Sequence, residues 1–528
     1  MNTNNAEVVV IGSGPAGVAC ASALLEQGVH VHMLDVGETL EPEQAALVQQ
    51  LRSQPKKSWP SHIVRKLKTT SASKSGLPMK RVWGSDFPYK KSSQYIPTKA
   101  AGVDAGASVG QGGFSTVWGA AVLPYSAEDM LGWPISPLDL APHYKAVLAM
   151  MPIAAQEDTL ALKHPLYGIP ARSIQRGEQV QRLVRNMKSH TRDLAARGVT
   201  YGFSRLAINV DQCGYCGMCM YGCIHDAMYS SAHTLVTLQT HPRFRYTPGI
   251  IVQKVAEEGD KVQIMGKETA GDKQYTATAS QVYIAAGVFS TTKILLESLG
   301  AYNEPISIQD SQYFMAPLLQ YQATPHVTKE VKNTLSQVFI RLQDTRISSY
   351  PIHLQVYSFS DIFLEIFRLI PGLPDLLWRL PLNSIFGRWL SVGGYLHSND
   401  SDKITAQLVR GTDREDSYLK LEAVPQQKTR VVLNSVMQKL TELSPLWRAR
   451  IITSVARKGH PGRGFHSGGS FPMKTTPGRF ESDLMGRPYG FSRVHAVDST
   501  VFPTVPANTI TLTIMANARR IAYESQHK

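Results

Sequence analysis

A chain of 528 residues, 43% hydrophobic and 18% charged, is large enough to bury two sizeable globular cores. Its 55 Lys and Arg against 41 Asp and Glu leave a net charge of +14, a balance that suits phosphates, acidic glycans, anionic headgroups or nucleic acid. No nucleic-acid-binding module accompanies the charge, which excludes that partner, and no apolar run approaches the roughly 18 to 20 residues of a membrane span.

Ala6 to Ile11 is a short β-branched run suited to a buried parallel strand. It begins within a few residues of Met1, so the sequence predicts a cytoplasmic protein without a signal or transit peptide. Export or membrane association through a signal-bearing partner stays open. Gly12-Ser-Gly14-Pro-Ala-Gly17 follows, then a helical pattern over Val18 to Gln27 and a second strand, Val29 to Leu34, ending in Asp35. In such a unit the first glycine permits the tight turn, the second admits a pyrophosphate, and the third lets helix and strand pack closely. Asp35 stands where an acid holds an adenosine ribose, so the unit predicts a dinucleotide, FAD or NAD. The basic residues of Lys56 to Lys91 are scattered among Ser, Pro and Gly and read as a solvated excursion.

Four of the five cysteines stand in one run, Cys213, Cys216, Cys219 and Cys223. The two, two and three intervening residues have the spacing of an iron–sulfur loop, and Gly214, Gly217 and Gly222 let the backbone bend. Zinc held by four thiolates and disulfides are the alternatives. Tyr246 to Ala279 alternates apolar and polar residues around two turns, as small antiparallel hairpins do. His353 to Phe359 and Lys420 to Val424 are strand-like and together suggest a sheet over a cofactor face. Between them, 361–390 is largely apolar and interrupted by Pro371, Pro374 and Pro381. Asp361, Glu365 and Arg368 share one helical face, and Asp375, Arg379 and Asn383 repeat the pattern. Two amphipathic helices there would pack on their own domain or roof the site, or else rest on a membrane surface or a partner.

The carboxy-terminal motifs carry a family likeness. His466-Ser-Gly-Gly469-Ser-Phe-Pro-Met473 is followed by Gly486-Arg487, by Val494-His-Ala-Val-Asp498 and by Pro506-Ala-Asn508-Thr-Ile-Thr. This closely resembles the terminal signature of the glucose–methanol–choline (GMC) flavoprotein oxidoreductases. Gly112-Gly113-Phe-Ser115-Thr-Val-Trp118-Gly119, Trp133-Pro134-Ile-Ser136 and Val282-Tyr-Ile-Ala-Ala286-Gly287 resemble further family segments in the same order. The likeness implies FAD and an α/β fold: a Rossmann-like FAD-binding domain with an inserted α+β substrate-binding domain. The first would comprise residues 1–149, 210–300 (with a cysteine-rich loop at 211–230) and 480–528, and the second 150–209 and 301–479. It implies cofactor contacts from Gly12, Gly14, Gly17, Asp35, Gly113, Ser115, Ala286, Gly287, Asp498 and Thr509.

Oxidising an alcohol through a flavin requires the hydroxyl proton to leave as a hydride leaves the carbon. A neutral histidine suits the first task. His466 matches the family's catalytic histidine and is expected to be the base. Asn508 matches its partner position and would hold the substrate oxygen without exchanging protons. Bacterial sugar dehydrogenases of the family carry a similar cysteine run, which implies a 3Fe-4S or 4Fe-4S cluster on Cys213, Cys216, Cys219 and Cys223. The expectation is therefore an FAD-dependent dehydrogenase of a sugar, glycoside or related alcohol. It would pass electrons through the cluster to an outside acceptor, such as a cytochrome or small subunit. An oxygen-using oxidase of a hydrophobic alcohol, or an enzyme tailoring a specialised metabolite, is the alternative.

Overall fold

The β-branched run forms strand β1 (Asn5–Ile11), whose Val9 and Val10 are wholly buried. Helix α1 (Pro15–Glu26) begins on a proline already set for a first turn, and its Ala16, Gly17 and Ala19 are small enough to lie flat on the strand. β2 (Val31–Leu34) and the end of β3 (Gln274–Ile284) pair in parallel with β1 on its two sides. Strands covered on both faces tend to be apolar at successive positions; residues 8–11 are, and residues 31–34 are except for His32, whose Nε2 lies 2.8 Å from Thr247 Oγ1. The computed structural model describes residues 5–69, 71–72, 78–79, 81–104, 106–271, 273–362, 382–411 and 417–527.

Beyond β3 lie the expected hairpins, Lys261–Glu268 and Ile250–Glu258, both antiparallel. Phe244–Thr247 leaves them and joins β2 in parallel. Val494–Ala496, more than 200 positions later in the sequence, pairs with the end of β3 and closes this sheet.

A second sheet is built on β4 (Tyr313–Gln320), β5 (Ile352–Tyr357) and β6 (Trp389–Tyr395), with β6 between the other two. Alternation sorts its residues cleanly. Phe314, Ala316, Leu318, Leu354, Val356, Leu390 and Val392 face a core shared with the helices Glu178–Ser189 and Gln427–Glu442. The alternate residues face the first sheet. Leu382–Arg388 is helical, while residues 363–381 of the expected amphipathic pair lie outside those described. Among the described residues no helix is long and apolar enough to cross a membrane.

A third sheet joins the two parts of the molecule. Tyr418–Val424 pairs antiparallel with Lys403–Val409 and parallel with Thr98–Ala101. It therefore does not share a sheet with β5, contrary to the sequence expectation. Its own strand partners on both edges are already satisfied, so no ladder remains for β5. At the other edge, Pro305–Asp310 pairs with Ser467–Gly468, which fixes the residue just before, His466. The terminal helix α2 (Thr511–Glu524) packs on α1, and Arg519 grips Glu26 with an Nη1–Oε1 distance of 2.8 Å.

Candidate active site

One cavity of about 400 Å³ runs from the end of β2 to the second sheet. At one end are the turn after β1 and the start of α1, where Gly12, Ser13, Gly14 and Pro15 form the wall. Gly12 has φ +102°, and a Cβ there would sit 2.6 Å from the Ala285 carbonyl oxygen. Gly17 does not line the cavity. A Cβ on it would lie 1.9 Å from the Gly12 carbonyl oxygen, so it is the packing glycine expected from the motif. The loop around Gly113 leans on this turn, with a Cβ at Gly113 only 3.0 Å from the Gly14 Cα. The Gly112 N–H donates to Ser13 Oγ at 2.9 Å, and Ser115 Oγ accepts from the Ser231 N–H at 2.8 Å.

Three helices aim their amino termini into this cavity, and none has a side chain capping its first turn. They are α1 after Gly14, Val288–Ser298 after Gly287, and α2 after Ile510. Their open N–H groups and aligned dipoles suit the anionic parts of a dinucleotide. Asp498 pins the second: its Oδ2 accepts from the Gly287 N–H at 2.8 Å and from Thr291 Oγ1 at 2.5 Å. Burial pushes its carboxyl upward despite those donors. Ala286 and Thr509 line the wall as expected, and Thr509 Oγ1 accepts from the Leu123 N–H at 2.8 Å.

Asp35 also lines the cavity, accepting from Ser13 Oγ and from the Tyr246 hydroxyl at 3.1 Å. Burial raises its carboxyl to about 6, against the pull of those donors. The ionised form accepts hydrogen bonds and prevails above that pH. FAD affinity is therefore expected to fall as pH drops below about 6. Asp35→Asn is expected to weaken FAD by about 10- to 100-fold, the cost of charged hydrogen bonds to a ribose, and to flatten that acid loss. Fluorescence titration of the apoprotein at several pH values measures both. The glycine cradle, the open helix termini and this carboxyl fit FAD, whose ring would reach the far end of the cavity.

At that far end His466 is half-buried, and its buried Nδ1 has no hydrogen-bond partner among the described residues. Its ring stacks on Tyr395 at 4.5 Å between centroids, 19° from parallel. Desolvation lowers its pKa to about 4, so the ring is neutral at ordinary pH. The preceding Phe465 holds φ +55°, a conformation that costs energy in a non-glycine residue and that helps aim the imidazole. The opposing wall is the inner face of the second sheet: Tyr313 and Met315 on β4, Tyr395, Gly393 and Ser391 on β6, and Gln355 and Tyr357 on β5. Sequence reading took residues 353–359 as a strand and did not single out its polar face. The alternation of His353, Gln355 and Tyr357 was the available signal.

Two expectations meet a different arrangement. Asn508 is not on the cavity wall. Its amide donates to the Pro124 carbonyl at 3.3 Å and to Asp129 Oδ2 at 3.4 Å, while its Oδ1 accepts from the Thr509 N–H at 2.7 Å. The buried Asp129 carboxylate needs donors and takes this one, which turns the amide from any substrate oxygen.

Cys213, Cys216, Cys219 and Cys223 are free thiols and are not gathered as ligands. Among the described residues no three His, Cys, Asp or Glu side chains are grouped to hold a metal ion. Burial pushes Cys213 to about 11 and Cys216 to about 12, and charge on neighbouring cysteines adds to both. As placed, the four thiols do not form a cluster site. The loop nevertheless touches the cavity through Met220, and the Ala227 N–H donates to Cys223 Sγ at 3.1 Å.

Fold and site together define a class, a protein with a Rossmann-like dinucleotide cradle opening into one continuous cavity. Residues 5–53 match the model of an FAD binding domain, and residues 96–310 match that of the GMC oxidoreductases. Over these two stretches the chain is similar to FAD-binding oxidoreductases of the GMC family. The crystal structure of pyridoxine 4-oxidase from Mesorbium loti has a similar fold, with a TM-score of 0.60 at 12% identity, covering 99% of this chain and 100% of that one. No curated protein matches the chain.

Proposed function

We propose that the protein oxidises a CH–OH group of a small alcohol, with a sugar, glycoside or related polyol as the substrate class, to the carbonyl. The observation that carries this reading is His466, neutral and with its buried Nδ1 unpartnered among the described residues, on the wall of the same cavity as the dinucleotide cradle. When bound, FAD supplies the acceptor for the hydride. His466 takes the hydroxyl proton, so the C–H and O–H bonds break as the C=O bond forms. Tyr395 keeps the imidazole in plane for that transfer. The enclosing aromatic wall excludes water, which strengthens the hydrogen bond between base and substrate. Mixing the holoprotein anaerobically with a panel of alcohols tests the reading through loss of the flavin absorbance; a panel that leaves the colour unchanged overturns it.

For the fate of the electrons, the spacing of the four cysteines and the donor on Cys223 support an iron–sulfur relay to an external acceptor. No step is assigned to it here, because the thiols are not gathered. Such a relay requires the loop to draw its four thiols together; roughly three or four irons per chain in anaerobically purified protein, with a broad brown absorbance beneath the flavin bands, is the result that supports it. Iron-free yellow protein that forms peroxide without added acceptor would instead support an oxidase. That second reading draws on the name of the fold neighbour, an oxidase.

A further inference from the structure

Strand register places nine positions in three rows on the inner face of the second sheet. Tyr313, Tyr395 and His353 form the row beside His466; Met315, Gly393 and Gln355 form the next; Pro317, Ser391 and Tyr357 form the third. The centre of this face has no side chain, because it is Gly393. A Cβ there would meet the Tyr313 hydroxyl oxygen at 3.2 Å and its Cε2 at 3.3 Å, so the Tyr313 side chain lies over this position and only glycine fits beneath it between Met315 and Gln355.

Beside Gly393, Gln355 is held in a fixed orientation. Its Oε1 accepts from the Tyr357 hydroxyl at 2.8 Å, and its Nε2 lies 3.4 Å from His353 Nε2. Burial holds His353 neutral, with its pKa near 3, so the ring nitrogen accepts and the amide donates. A primary amide has two N–H groups and two carbonyl lone pairs. Each of these contacts uses one, which leaves one donor and one acceptor on a side chain that lines the cavity. Successive rows on a strand face are about 7 Å apart.

We infer that Gln355 determines specificity by binding a second oxygen of the substrate, about 7 Å from the carbon that reacts beside His466, while the apolar body between them lies against Tyr313 and Met315 on the cavity wall. The substrate class is thus an alcohol with two separated oxygens across a compact, partly apolar frame. A simple monohydric alcohol lacks the second contact. This inference rests on the alcohol-oxidising reading of the same site and narrows it.

The test compares matched pairs in anaerobic flavin reduction: para-benzenedimethanol against para-methylbenzyl alcohol, α,ω-hexanediol against n-hexanol, and a methyl glycoside against its deoxy analogue. The wild-type protein is expected to prefer the member with the distal oxygen by about 3- to 10-fold in kcat/KM, the worth of one buried hydrogen bond. In Gln355→Leu that preference should fall to near unity, with most of the change in KM. Where the leucine variant does not retain flavin, Gln355→Met, which keeps the side-chain length, replaces it. Reduction by alcohols without any such preference, or a preference that survives both variants, overturns this inference alone. Absence of reduction by every member in the wild type overturns it together with the alcohol-oxidising reading.

Discussion

Replacing His466 by alanine is expected to slow flavin reduction by about 100- to 10,000-fold, the usual contribution of a positioned general base, while bound FAD is retained. Retention follows from geometry. The cradle is built from the turns after β1 and β3 and from the start of α2, whereas His466 enters from the edge of the third sheet. The substitution removes a ring stacked on Tyr395 and leaves the Ser311 N–H bonded to the same backbone carbonyl, at 2.9 Å. The wild-type pH profile has a defined sign. The base is active when neutral, and burial lowers its pKa from the ordinary 6.5 to about 4. The kcat/KM for flavin reduction should therefore stay level as pH falls through 6.5 and decline only toward about 4. A profile that bends near 6.5 would mean that the working base is a solvated group. Stopped-flow reduction of wild-type and variant holoprotein checks both statements.

Gly17→Val is expected to give colourless protein. Even a Cβ at this position would lie 1.9 Å from the Gly12 carbonyl oxygen, and both atoms belong to buried backbone that cannot swing aside. Helix α1 must then lift from the turn after β1, and its open N–H groups no longer point at the pyrophosphate position. Overpacking alone costs about 1 to 3 kcal/mol. Loss of a tightly bound ligand removes a further ~4 kcal/mol at a thousandfold excess over Kd. The melting temperature should fall, and added FAD should no longer raise it. A variant that elutes with a full complement of flavin would mean that this glycine is not the point of close approach. The ratio of flavin to protein and thermal melts with and without FAD provide the check.

Local chemistry was the legible part of this molecule. The glycines after β1, Asp35 at the end of β2 and the strand–turn around Ala286 all line or support one cavity, because each acts through backbone conformation within a few residues of itself. Asn508 shows where that reasoning stops. Its motif position is adjacent to Thr509 on the wall, yet Asp129, 379 positions away, claims its amide. The cysteine run is similar. Spacing shows what a loop is able to reach, while the packing of the folded loop decides where its thiols rest.

The amino-acid order by itself determined the parallel β–α–β cradle and the hairpins beyond β3, since periodicity and glycine sterics are short-range properties. Only the tertiary structure decided that residues 418–424 join residues 98–101 rather than β5, and that Tyr313, Gln355, Gly393 and Tyr395 form one wall opposite His466. Those choices depend on strand register and on competition for hydrogen-bond partners among segments hundreds of residues apart, which no local pattern encodes.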